Sequence, residues 1–183
     1  MDPVFVTLVV IAIIPFIFVV WYISTSNKLN RLVVKIDESL SGIDVALTKR
    51  YDVLTKMIEV VKSYAKHEKE TLFEVIKLRD SMSLKEKSEA NQAMDENFRK
   101  INIIAENYPE LKSSENYKTL QQSIVDVEEH LQAARRLYNS NVSLYNQQLV
   151  SFPTSSVAKN KAMVKKDFFE IDEIKRNDVK IEL

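Results

Sequence analysis

The sequence contains no cysteine, one glycine and four prolines among its 183 residues. Without cysteine the chain forms no disulfide, and thiolate nucleophiles, Cys-based zinc sites and iron–sulfur clusters are excluded. Sheet proteins need many tight turns, which are rich in glycine and proline, so this composition favours helices. The 26 basic and 26 acidic residues cancel, so no net field attracts nucleic acid, and we expect no nucleic-acid partner.

Residues for catalysis or metal binding are also scarce. Nucleophile elbows and phosphate-binding loops need several glycines, and Gly42 stands alone. The two histidines are His67 and His130. Three residues before His130 the chain has Val127, where the Glu-x-x-His motif of di-iron bundles requires glutamate. We therefore predict no enzymatic activity, no metal site and no cofactor.

One long apolar run stands near the N-terminus. Val4 to Ile23 reads VFVTLVVIAIIPFIFVVWYI, and twenty helical residues span about 30 Å, the thickness of the hydrocarbon core of a bilayer. Trp21 and Tyr22 fall at one end, where aromatic rings favour the headgroup level. A cleaved signal peptide would have a basic start and a shorter apolar core. The sequence thus predicts a retained lipid-embedded anchor within residues 1–26.

Basic residues predict the orientation of this anchor. No Lys or Arg precedes the apolar run, whereas Lys28, Arg31 and Lys35 follow it. The positive-inside rule therefore places the N-terminus outside and the body of the chain in the cytoplasm.

After the anchor, apolar residues recur at steps of three and four, which predicts long amphipathic helices. The first continues to about Lys66, and a short second helix runs from His67 to about Met82; one continuous helix across His67 is the alternative. Ser83 and Glu86 form a capping box for a third helix that ends at Pro109. After a turn over 109–113, a fourth begins after Ser113 or Ser114 and stops at Pro153. We predict an all-α protein: an antiparallel, up-and-down four-helix bundle over 27–153 after the membrane helix, with a loosely ordered tail over 154–183.

Several polar side chains border the apolar stripe of the fourth helix: Arg135, Tyr138, Asn139, Tyr145 and Asn146. Partly buried polar groups need hydrogen-bond partners. We expect Arg135 to pair with a carboxylate of the first helix, most simply Asp44. Tyrosine and arginine are also frequent anchors at protein interfaces, so a recognition surface is the alternative.

These Tyr–Asn pairs also carry a resemblance to a known family. RRLYN at 135–139, YN at 145–146 and SFP at 151–153 resemble segments of the LemA family, as do IDVALTKRYDVL at 43–54, YAKHE at 64–68 and AENYPELK at 105–112. The resemblance covers about residues 27–170. It implies a bacterial, membrane-anchored helical bundle, located in the inner membrane, and it brings no established activity or catalytic residues. The matching segments add Arg50, His67 and Glu68 to the candidate structural or interaction residues.

These features favour a non-catalytic interaction or scaffold module that binds a protein partner or itself. The alternative is an envelope-associated enzyme or accessory hydrolase with an unrecognised site, which a cleft of convergent titratable groups would indicate. A third possibility is lipid contact by the tail, where four lysines precede Phe168 and Phe169. We favour an ordinary solvated tail over that possibility.

Overall fold

The computed structural model of the protein describes residues 3–65 and 82–169. Within them the chain forms five helices and no strand: α1 (Pro3–Tyr64), α2 (Leu84–Asn107), α3 (Pro109–Ser113), α4 (Glu115–Val150) and α5 (Thr154–Asn160). The predicted all-α class is confirmed. The capping box is confirmed as well, since Ser83 Oγ accepts from the Glu86 N–H and the Glu86 carboxylate accepts from the Ser83 N–H.

The first helix carries the apolar run and continues well beyond it. Pro15 lies inside α1, and no further proline follows in the helix to end it. Apolar side chains between Ile11 and Ile23 are exposed, with Phe16 at 69 % and Ile17 at 59 %. By length and composition α1 can cross a membrane, a property that an N-terminal signal sequence shares.

The described residues fall into two compact units, of which the first comprises Met1–Ser39 and Tyr138–Phe168. Here α1 and α4 run antiparallel, because Lys28 bonds Gln148 at 3.1 Å while Asn141 bonds the Lys35 carbonyl at 3.2 Å. Its core consists of apolar side chains from α1, α4 and α5 that are at most 9 % exposed: Leu29, Ile36, Val142, Leu149, Val157 and Ala158.

Of the described residues, those within Leu40–Leu137 together with Phe169 form the second unit. Asp44 contacts Lys87 and Arg50 contacts Asn91, so α2 runs parallel to this part of α1. A methyl group added at Gly42 would lie 3.9 Å from the Ala134 Cβ, and Arg50 meets Glu128, so α4 runs antiparallel to α1. One apolar cluster joins the helices around Met57, Ile101, Leu111 and Ile124.

The segment at 67–82 and the tail from residue 154 are the two parts of the chain whose predicted structure is not confirmed. The predicted short helix at 67–82 lies outside the described residues apart from Met82, which is not helical. The tail differs from the predicted loose order over 154–169. Its first residues form α5, and Val157, Ala158 and Phe169 are each at most 2 % exposed. Burial of these apolar groups fixes a segment whose mixed charges had indicated solvation.

Candidate functional site

Arg50 is the centre of a buried polar cluster in the second unit. Its guanidinium donates to Asn91 Oδ1 and to Asp95 Oδ1, and it lies 3.0 Å from Glu128 Oε2. The contact to Glu128 is an ion pair without hydrogen-bond alignment, and the Arg50 Nε finds no partner among the described groups. Only 4 % of the Arg50 side chain is exposed, against 23 % of Asp95 and 28 % of Glu128. This arrangement joins α1, α2 and α4 through one buried cation.

The predicted ion pair between Arg135 and Asp44 is wrong. Asp44 lies 2.5 Å from Lys87 Nζ on α2. The Arg135 guanidinium lies 5.1 Å from the ring centroid of Phe169, a cation–π contact. The apolar stripe indicated that both residues flank the core, but it did not indicate which helix each one faces. Lys87 is itself 7 % exposed, so its ammonium group needs an ion-pair partner, and the partly exposed carboxylate of Asp44 supplies it.

The Tyr–Asn pairs of α4 hold a segment of the chain in the first unit. This tail segment, residues 161–168, begins with a turn at 161–162 and contains no helix. Tyr145 donates to the Val164 carbonyl at 3.1 Å and Tyr138 to the Asp167 carbonyl at 3.0 Å. Asn146 donates to the Lys166 carbonyl at 2.9 Å and accepts from the Lys166 N–H at 3.0 Å. All four bonds engage main-chain groups of the segment, so these contacts with α4 do not use the side chains of the segment.

Burial changes the acidity of these tyrosines. It raises the pKa of the Tyr138 phenol above the ordinary value of 10.0, and the nearby charges of Asp167 and Asp37 act in the same direction. Burial likewise raises the pKa of Tyr145. In the second unit it raises the pKa of Tyr117, whose hydroxyl donates to Asn102 Oδ1 at 3.0 Å. The three phenols therefore stay protonated and serve as neutral hydrogen-bond donors.

The remaining candidates are less informative. Asn139 is half-buried and has a polar partner, whereas His67 and Glu68 lie outside the described residues. His130 lines a shallow surface depression with Asp126, Glu129 and Arg136. Across residues 3–65 and 82–169, no three metal-ligating side chains of the His, Cys, Asp or Glu types converge.

Sequence reasoning missed four residues that complete these clusters: Lys87, Asn91, Asp95 and Glu128. A signal for them existed, since Asn91 and Asp95 are four residues apart and therefore share one face of α2. It also missed the main-chain acceptors of the tail segment, which have no signature in the sequence because every residue carries a carbonyl.

Comparison with known protein sequences identifies the family of this chain. The profile of the LemA family matches residues 39–183. The chain is also 29 % identical over 168 residues to Protein LemA of Metamycoplasma hominis, an alignment that covers 89 % of this chain and 77 % of that protein. The family match includes both the Arg50 cluster and the Tyr–Asn pairs of α4. The chain belongs to the LemA family.

Proposed function

We propose that this protein is a single-pass, membrane-tethered helical module of the bacterial inner membrane that binds a protein partner or a second copy of itself and catalyses no reaction. The exposed apolar side chains between Ile11 and Ile23 support the tether. Lys28, Arg31 and Lys35 directly after them support a cytoplasmic body.

The surroundings of the apolar run support an anchor that is kept rather than cleaved. Small residues directly after the apolar run, Ser24-Thr25-Ser26, weakly resemble a signal-peptide cleavage site, and they lie within α1. Thr25 is 9 % exposed, and Ser26 Oγ accepts from Lys161 Nζ at 2.7 Å. Just before it, Tyr22 bonds Asn160 at 2.9 Å. Cleavage here would remove groups that pack within the first unit.

The observation that carries the binding role is the way in which the tail segment is held. Because α4 binds its main chain, the apolar side chains of Val164 and Phe168 project into solvent, with 72 % and 48 % exposed. Exposed apolar groups on a fixed segment favour association, since their ordering is already complete before a partner binds. Lys165, Lys166 and Asp167 lie between them, and the excess of basic over acidic charge favours a partner surface with apolar and acidic groups.

The proposal is tested by photo-crosslinking of the full chain in its native membrane. A photoreactive amino acid replaces Val164, and a matched variant carries it at Val34, which is 63 % exposed in the same unit. We expect a discrete protein adduct from position 164 and none from position 34. The adducted protein, purified, should then bind the full chain in lipid nanodiscs saturably and lose affinity with Val164→Asp.

An adduct between two copies of the chain would establish self-association, which the proposal includes. Absence of any adduct at position 164, or equal labelling at position 34, would contradict a binding role for the tail segment.

A further inference from the structure

The turn between α4 and α5 exposes the most solvent-accessible large apolar side chain of the described residues. Phe152 is 87 % exposed and Val150, two residues before it, is 62 % exposed. Both belong to the first unit, in which the apolar part of α1 also lies. Covering such an exposed aromatic ring with an apolar or interfacial environment lowers its free energy relative to water.

The register between α1 and α4 gives the level of this turn along α1. Asn141 lies opposite Lys35, and Gln148 bonds Lys28. Continuing this antiparallel register brings Phe152 level with about Ser24, one residue past Ile23. At a rise of about 1.5 Å per residue, the ring lies within a few Å of the predicted end of the hydrocarbon core.

Two residues that come after the turn in the chain hold it at this level of α1. Asn160 bonds the Tyr22 hydroxyl at 2.9 Å. Lys161 bonds Ser26 at 2.7 Å and Asn30 at 3.2 Å. The turn is thus tied at its far end to the part of α1 that carries Trp21 and Tyr22, the aromatic residues of the predicted headgroup level.

The charges around the turn complement a cytoplasmic membrane surface. Lys28 and Arg31 follow this level on α1, and Lys161 after the turn bonds Ser26 and Asn30 on the body side of it. Anionic headgroups attract basic side chains within roughly a Debye length, about 8–10 Å.

We infer that the α4–α5 turn is a second membrane contact, in which Phe152 and Val150 enter the headgroup layer beside α1 and the neighbouring lysines and Arg31 face anionic lipid. The occupant of this apolar patch is therefore the bilayer. This inference rests on the proposed tether and extends it: the first unit meets the membrane at two points, which restrains rotation and tilt about α1. Lipid contact through Phe168 and Phe169 is a different arrangement, and Phe169 is 2 % exposed.

Because the chain has no cysteine, single cysteines can be placed and spin-labelled without background. Four variants of the full chain are reconstituted in vesicles of phosphatidylcholine and phosphatidylglycerol: Phe152→Cys, Ile17→Cys, Val34→Cys and Phe168→Cys. A high collision rate of the spin label with molecular oxygen indicates a lipid environment, and a high collision rate with a water-soluble nickel chelate indicates exposure to solvent. All four positions are at least 48 % exposed, so the substitutions should leave the helical circular dichroism unchanged.

We expect the ratio of oxygen to nickel collisions at position 152 to be severalfold higher than at positions 34 and 168, and lower than at position 17. If position 17 is in lipid while position 152 matches position 34, the second contact is refuted and the tether stands. If position 17 itself is in water, the tether fails and the inference fails with it. A label in lipid at position 168 but not at position 152 also overturns the inference.

Discussion

Replacing Arg50 with methionine would remove the one cation shared by Asn91, Asp95 and Glu128. Methionine keeps most of the aliphatic volume, so the loss reports on the polar cluster more than on a cavity. Removing one member of a buried ion pair typically costs about 3–5 kcal/mol, because the remaining charge is stranded. Here the stranded carboxylates keep 23 % and 28 % exposure and regain part of their hydration. Because the buried Arg50 Nε has no hydrogen-bond partner, the intact cluster also stabilises the fold less than a fully bonded one would.

These terms place the cost of Arg50→Met near the lower end, at about 3 kcal/mol of the free energy of unfolding. For a chain of this size each kcal/mol shifts the melting temperature by about 2–4 °C, so we expect a decrease of about 6–12 °C. Thermal unfolding of the full chain in nanodiscs, followed by circular dichroism at 222 nm, measures it. Arg99→Met is the matched control, because Arg99 is exposed on α2 and should change stability by less than about 0.5 kcal/mol.

A double-mutant cycle separates the cluster from nonspecific damage. Glu128→Gln should destabilise the parent, yet it should be nearly neutral or restoring in the Arg50→Met background, where Glu128 has lost its cation. Additive losses, or an Arg50→Met protein that melts like Arg99→Met, would refute the reasoning.

Three further predictions concern other contacts. Asn146→Ala removes both hydrogen bonds to the Lys166 main chain and should destabilise the docked tail segment by about 2 kcal/mol. Hydrogen exchange over 161–168 should then be faster, whereas Gln147→Ala, at an exposed position, should leave it unchanged. Equal exchange rates in both variants would contradict the role of Asn146 in holding the segment. Asp44→Ala should leave Lys87 without its ion-pair partner and lower the melting temperature. In a thermal double-mutant cycle its effect should be strongly coupled to that of Lys87→Met and independent of that of Arg135→Ala. Coupling between Asp44→Ala and Arg135→Ala would instead support an ion pair between Asp44 and Arg135. Burial raises the pKa of Tyr117, Tyr138 and Tyr145 in the folded state, so these phenols ionise first in the unfolded chain. Their contribution to the free energy of unfolding should therefore be constant below about pH 10 and fall as pH rises through the raised values. Denaturant titrations in mildly and strongly alkaline buffer measure this, and a flat profile between them would contradict it.

How far the sequence predicts this fold depends on whether a feature is local. The capping box at Ser83 and Glu86 involves residues three apart in the chain, so it could be identified from the sequence and is confirmed. The long apolar stripes predicted the helices and their inward faces for the same reason. α1 ends at Tyr64, close to the end expected near Lys66.

Pairing between helices could not be predicted in the same way. The stripes place Asp44 and Arg135 at the border of the core, but the partner of each depends on which helix lies beside that border and at what register. Arg50 entered the candidates through the resemblance alone, although its burial makes it the better candidate for a structural cation. The tail segment escaped prediction because α4 holds it through its main-chain groups, and its composition is that of a solvated chain.

The most direct test of the tethered, cytoplasmic arrangement is cysteine accessibility in sealed, right-side-out membrane vesicles. A single cysteine replaces Val125, which is 51 % exposed on α4, in an otherwise cysteine-free full chain. The arrangement predicts that a membrane-impermeant maleimide leaves this cysteine unlabelled until the vesicles are opened, that an Asp2→Cys variant is labelled at once, and that alkaline carbonate does not release the protein. Immediate labelling at position 125, or release of the protein by carbonate, would contradict it.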